Sequence, residues 1–322
     1  MLGKPFEVPD NVHQLDSLER RTKPTCPKLP FIQKDLATYS KGYKGEHSLD
    51  YYFKILPENT FYIYHCIRLL ENKFYFQIDL LLLTLKFLAI LEVKTMSGKL
   101  FFDTKGHQLI QTYNDTEVTY KCPIIQVDLQ AYRLRKWLTE NKMPDIPIIP
   151  LVVVSNSSTK IETNETNRSF YEKVIHGHYL PTKLSRLLSF YQEDILTMKS
   201  AKSLNRLLLK KHTPFKKSIL EDYNITKSDL MMGVYCPCCS HLPMIKIQKG
   251  WFCPKCKVTD KMAHREALKD YYYLFGNKIT NRAARELLLV DSPYVVKRML
   301  DSLCLKKEGE NKSRKYWLDS LV

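Results

Sequence analysis

The chain has 322 residues, 44 % of them hydrophobic, with 50 Lys+Arg against 34 Asp+Glu and a net charge of +16. That length accommodates two or three domains with real cores, and the positive excess favours a polyanionic partner, nucleic acid first. The longest apolar run, Ile78 to Val93, is broken by Asp79, Lys86 and Glu92, which excludes a transmembrane span. Met1-Leu2-Gly3-Lys4-Pro5 has no apolar stretch, so no signal peptide is expected and the compartment is read as cytoplasmic. Five of the nine cysteines crowd between Cys236 and Cys256, a clustering that means metal rather than disulfides.

Residues 1–38 hold five prolines and little periodicity, which predicts an extended N-terminal arm. Gly42 to Glu46 leads into a helix over His47 to Leu56, ended by Pro57. Glu46 is then a first-turn acid favoured by the helix dipole, or alternatively a third carboxylate at the mouth of a cleft. The aromatic and β-branched segments 61–65 and 74–78 read as strands, and 79–83, 87–94 and 98–103 continue them as an antiparallel meander. A helix is expected from Pro123 to about Asn141. Ile148 to Val154 is continuously apolar, a strand buried on both faces.

Glu92 and Lys94 are two apart on a strand and so share a face. Asp79 lies 13 residues before Glu92, and a hairpin through Thr84-Leu85-Lys86 folds it back alongside. The plain reading is a charged strand end. Inside hydrophobic sequence, however, an unpaired charge is costly, so these groups must be paired, metal-bound or at a sheet rim. Two carboxylates can hold a hard divalent cation, and the lysine can orient or deprotonate an attacking water.

The order Gly42-x-x-Gly45-Glu46, Asp79, Glu92-Val93-Lys94, Pro123-x-x-Gln126, then an apolar strand, resembles the nuclease-related domain (NERD), a branch of the PD-(D/E)XK restriction-endonuclease-like superfamily. The resemblance covers roughly 40–155. It implies Asp79, Glu92 and the Val93 carbonyl as ligands of Mg2+ or Mn2+, with Lys94 positioning water or stabilising the transition state. It further implies Glu46 as an outer carboxylate and Gln126 as support for Lys94 or a phosphate. Two departures stand out: Cys122 where the family usually has Asn, and no clear match to a tryptophan often seen before the Gln motif.

Ser155 to Arg168 reads as a polar loop, and 170–194 and 195–211 as helices. Lys199, Lys202, Arg206 and Lys210 form one stripe, either a solvated face or a phosphate-tracking surface. Cys236/Cys239 and Cys253/Cys256 are two Cys-x-x-Cys knuckles 13 residues apart, the spacing of a structural zinc ribbon. Cys238 is surplus, though it could compete with Cys239 as ligand, and His241 and His264 are not expected to ligate. Residues 264–317 resemble a winged helix-turn-helix. Its recognition helix is Ser292–Leu303 with Lys297 and Arg298, and its basic wing carries Lys312, Arg314 and Lys315.

The expected fold class is α/β: a restriction-endonuclease-like mixed-sheet core with a helical extension, a zinc ribbon and a winged helix-turn-helix. The expected divisions are 1–38 (arm), 39–168 (core), 169–233 (extension), 234–261 (ribbon) and 262–322 (winged helix). The expected function is metal-dependent hydrolysis of phosphodiester bonds, DNA ahead of RNA, with Mg2+ (or Mn2+) and one structural Zn2+. Nucleic acid is the expected partner, no membrane is involved, and a protein partner or homo-oligomer stays open. The rival reading is a DNA-binding regulator or scaffold whose nuclease fold no longer cuts.

Overall fold

Strand β1 (Leu2–Lys4) is followed by helices α1 (Asp10–Arg21), α2 (Leu29–Ser48) and α3 (Asp50–Phe53) in the computed structural model, which describes residues 2–215, 218–310 and 313–322. The expected extended arm is therefore largely helical. The reason lies in spacing: α1 buries Val12, Leu15 and Leu18, and Pro30 sits second in α2, where a missing N–H costs no helical hydrogen bond. Because α2 runs on to Ser48, Glu46 occupies its last turn rather than a first turn. The dipole disfavours an acid there, so that explanation of Glu46 fails.

The chain divides into two units, Met1–Pro9 with Ser40–Phe215 and Asp10–Tyr39 with Lys216–Val322. In the first lie β2 (Tyr62–Glu71), β3 (Phe74–Leu83), β4 (Leu88–Lys94), β5 (Lys99–Asp103), β6 (Gln108–Tyr113), β7 (Thr116–Lys121) and α4 (Pro123–Glu140). They are followed by β8 (Ile148–Val154), β9 (Lys160–Thr163), α5 (Ser169–Lys173), β10 (Val174–His176), α6 (Leu180–Phe190) and α7 (Met198–Lys211). The main sheet has the order β1-β2-β3-β4-β8-β10 and is mixed: β2-β3-β4 are antiparallel, while β1, β8 and β10 join in parallel.

One face of this sheet packs on Val127, Leu134 and Trp137 of α4 and on Ala201, Leu204 and Leu208 of α7. The other packs on Phe53 of α3 and on Leu180 and Leu184 of α6. A central strand covered on both faces must be apolar along its whole length, which is why β8 and most of β4 read as unbroken hydrophobic runs.

The alternation of β2 and β3 changes phase at one level. On β2 the residues facing α4 and α7 are Tyr62 and Tyr64, then Ile67 and Leu69; on β3 they are Phe76 and Ile78, then Leu81 and Leu83. The even-to-odd switch falls at His65-Cys66 and at Asp79-Leu80. Cys66 has φ +49°, outside extended geometry, and this is the local cause on β2.

A second sheet, β7-β6-β5-β9, was only partly expected. Asn114 and Asp115 both have positive φ and form the two-residue turn joining β6 to β7. The polar segment 155–168 contributes β9, which pairs in parallel with β5. The helix expected over 170–194 is interrupted because Val174 and Ile175, both buried, pair with Val152 and Val153 as β10.

The second unit contains α8 (Ile219–Asp222), the small sheet β11 (Ile245–Ile247), β12 (Gly250–Phe252) and β13 (Thr259–Asp260), and α9 (His264–Phe275). It continues with β14 (Lys278–Thr280), α10 (Asn281–Leu288), α11 (Pro293–Ser302), β15 (Lys307–Glu308) and β16 (Lys315–Trp317). Leu15, Leu18 and Ile32 share a cluster with Ile219, Ile225 and Leu274. Val234, Met244 and Trp251 share another with Leu268, Ile279, Val296 and Tyr316. The cysteine-bearing segment and the helices after it thus have one core rather than two.

Candidate active site and metal centre

The hairpin from β3 to β4 pairs Leu80 with Leu91, so Asp79 and Glu92 lie one step beyond, opposite each other. The Asp79 Oδ2 accepts the Val93 N–H at 3.0 Å. Glu92 is 2 % exposed, and its Oε1 accepts from Lys94 Nζ at 2.6 Å. The shared strand face expected for Glu92 and Lys94 is therefore present. Burial, then the charges of Glu92 and Glu46, push the Asp79 carboxyl well above the usual range, against the opposing pull of the Val93 N–H and Lys94.

Helix α4 supplies the wall. Gln126 Oε1 accepts from Lys94 Nζ at 3.4 Å. One turn on, Gln130 Nε2 donates to Glu92 Oε2 at 2.9 Å and to the Gln77 carbonyl at 3.1 Å. Gln130 is a residue that sequence reasoning missed, although its i+4 spacing from Gln126 places both on one helix face. Its Oε1 is buried without a partner. Cys122 is the N-cap of α4 and makes no side-chain cap bond, at a position where Asn is a preferred cap.

This donor set fits a hard divalent cation. Asp79 and Glu92 face each other across the β3–β4 pair with the Lys94 ammonium on Glu92, and burial together with the charges of Glu92 and Glu46 disfavours the ionised Asp79, a penalty that a bound cation relieves. Both Glu92 oxygens already accept hydrogen bonds, leaving only their second lone pairs for an ion.

Glu46 turns elsewhere. Its Oε2 lies 2.7 Å from His65 Nε2 and 3.5 Å from Cys66 Sγ, with Cys66 Sγ 3.4 Å from His65 Nε2. Glu46 acts on Asp79 through its charge, while its contacts are with β2.

Cys236, Cys239, Cys253 and Cys256 bring their sulfurs together, with Cys236–Cys256 at 3.5 Å and Cys239–Cys253 at 3.6 Å. Zn–S bonds of about 2.3 Å require edges of roughly 3.8 Å, so a small expansion seats the ion. Burial works to raise the Cys253 thiol, yet the backbone N–H groups of Cys256 and Lys255 and the neighbouring thiols bring it down to about 6. The backbone bond at His241 works to lower Cys239, whereas burial and the other three thiols push it up to about 12. Cys238 is exposed and outside the group. His264 Nδ1 accepts from Trp251 Nε1 at 3.2 Å, a structural role, and burial lowers its pKa to about 4.

Lys199, Lys202, Arg206 and Lys210 are all exposed on α7, opposite its buried Ala201, Leu204 and Leu208. Lys297, Arg298 and Lys315 are exposed and Arg314 is half-buried; Lys312 lies outside the described residues. Among the described residues, no helix is long and apolar enough to cross a membrane.

Residues 41–155 match the nuclease-related domain, NERD. The NERD segment contains Glu46, Asp79, Glu92, Lys94, Gln126 and Gln130, together with β2 through β8. It points to a nuclease-related function and to a divalent metal. No curated protein and no solved structure matches the chain.

Proposed function

We propose that this protein is a divalent-metal-dependent nuclease that hydrolyses phosphodiester bonds, with DNA as the preferred substrate. The observation that carries the reading is the convergence of Asp79, Glu92 and Lys94 at one level of a sheet whose neighbouring positions are apolar. Asp79, Glu92 and the Val93 carbonyl would hold Mg2+, with Mn2+ as a substitute; bound there, the ion supplies Lewis acidity to phosphate oxygens. Lys94 holds the attacking water or steadies charge on phosphorus, and Gln126 aims its ammonium. Gln130 fixes the Glu92 carboxylate. Glu46 contributes negative charge from the side.

Substrate grip is assigned to the second unit and α7. The order α9, β14, α10, α11, β15, β16 supports a winged helix in which α11 presents Lys297 and Arg298, with Arg314 and Lys315 on the wing. The four-cysteine centre, read as a structural zinc, braces it through the shared core. The α7 stripe would track phosphates.

One observation favours the regulator alternative: both Glu92 oxygens are engaged by Lys94 and Gln130, a closed arrangement that a non-cutting site would tolerate. Asp79→Ala separates the two. Loss of cleavage with retained DNA binding supports the enzyme; absence of cleavage in the wild type under every metal supports the regulator.

A further inference from the structure

Adjacent residues of an extended strand point to opposite faces. His65 and Cys66 do not: both reach the same Glu46 oxygen, and they can because Cys66 takes φ +49°. A non-glycine residue in that region carries a conformational cost, so its retention demands a local reason. The result is a triangle of one carboxylate oxygen, one imidazole nitrogen and one sulfur with edges of 2.7, 3.5 and 3.4 Å.

We propose that Glu46, His65 and Cys66 form a second metal site, for a thiophilic divalent ion of the zinc class, distinct from the oxygen site at Asp79 and Glu92. Zinc bonds of about 2.0–2.3 Å to O, N and S give tetrahedral edges of roughly 3.4–3.6 Å. The two edges to sulfur already have that length, and only the Glu46–His65 contact must open. Three protein ligands of these types with a fourth position left for water is an accepted zinc arrangement. Glu46 is the ligand open to solvent, its side chain 17 % exposed, while His65 is fully buried beneath Phe6, whose ring stacks on it at 4.8 Å. The thiolate sets the ion class, because magnesium discriminates against sulfur.

The surroundings suit a cation. The charges of Glu46 and Asp79 both bear on Cys66. Lys4 is the opposing cation, and its Nζ is held by the His65 carbonyl at 2.9 Å. On ligation the thiol proton leaves to solvent and the imidazole proton moves to Nδ1, an atom now buried without a partner. Because Glu46 also bears on Asp79, an ion here would relieve charge at the proposed nuclease centre without occupying it.

The test is zinc content of the full chain, desalted from micromolar zinc, for wild type and Cys66→Ser. One zinc fewer per chain in the variant is expected, with the four-cysteine zinc unchanged in both. Equal content overturns the site. If Cys66→Ser fails to fold, alkylation of Cys66 in the wild type decides, read by peptide mass spectrometry. Zinc should slow it at least tenfold and magnesium should not; equal rates with zinc and without it overturn the site. Neither readout involves cleavage, so either failure leaves the nuclease reading to its own assay.

Discussion

Gln130 Nε2 stands 2.9 Å from Glu92 Oε2 and ties the nearly inaccessible carboxylate to helix α4. Lys94 takes the other oxygen, so Glu92 is held from two sides by groups of different kind. Replacing Gln130 with Ala leaves one carboxylate oxygen buried and unpaired, at a cost of about 1–3 kcal/mol. Urea denaturation should show that loss, and cleavage should fall in the same variant because Glu92 is no longer fixed. Gln130→Glu should be worse than Gln130→Ala on both counts, since it places a second negative charge against the first.

Lys94→Ala should have opposite effects on metal binding and on chemistry. Lys94→Ala frees Glu92 Oε1, so Mn2+ should bind at least as tightly as to the wild type in a calorimetric titration. Cleavage should nevertheless be lost, because nothing then positions the water. If Lys94→Ala instead weakens Mn2+ strongly and spares the rate, the division of roles between ligand and lysine is wrong.

Asp79 makes stability depend on pH with a definite sign. Its folded pKa is raised, so the folded chain binds the proton more tightly than the unfolded chain does. Stability without divalent metal is therefore greatest below the ordinary aspartate range, and falls as pH rises from there through the raised folded value. Asp79→Asn should flatten that fall in thermal melts. Saturating Mg2+ should flatten it as well, by stabilising the ionised form.

His264 gives the reverse slope in the second unit. Burial lowers its pKa from 6.5 to about 4, so the unfolded chain takes up the proton first. Stability from this group is full above pH 6.5 and is lost as pH falls toward 4, by roughly 3 kcal/mol across the window. His264→Gln should remove most of this acid sensitivity.

Zinc removal should loosen the same core. Cys236 and Cys253 are buried in one cluster with Trp251 and Leu268. A strong zinc chelator should shift Trp251 emission to the red and lower the melting temperature of the second unit. A chelator-treated chain with unchanged emission would remove the structural role of the four cysteines.

Much of the arrangement around Glu92 was legible in the sequence, because it depends on two simple rules. Period-two alternation puts Glu92 and Lys94 on one face, and a short hairpin brings Asp79 opposite Glu92. The four cysteines were legible by spacing. The Glu46 cluster was hidden, since alternation sends His65 and Cys66 to opposite faces and only a left-handed backbone at Cys66 reverses that. Gln130 was visible as i+4 to Gln126 but looked like any polar residue on an amphipathic helix. The proline count of the first 38 residues masks the apolar spacing of Val12, Leu15 and Leu18, and Asn114-Asp115 is a residue pair that tolerates the positive φ of a two-residue hairpin turn.

Whether the chain cuts is decided by incubating supercoiled DNA with wild type and Glu92→Ala in Mg2+, in Mn2+ and in EDTA. The wild type should cut with either metal and not in EDTA, and Glu92→Ala should lose about 100-fold or more. If neither protein cuts under any of these conditions while both retard DNA in a gel, the chain binds nucleic acid without hydrolysing it, and the nuclease reading is contradicted.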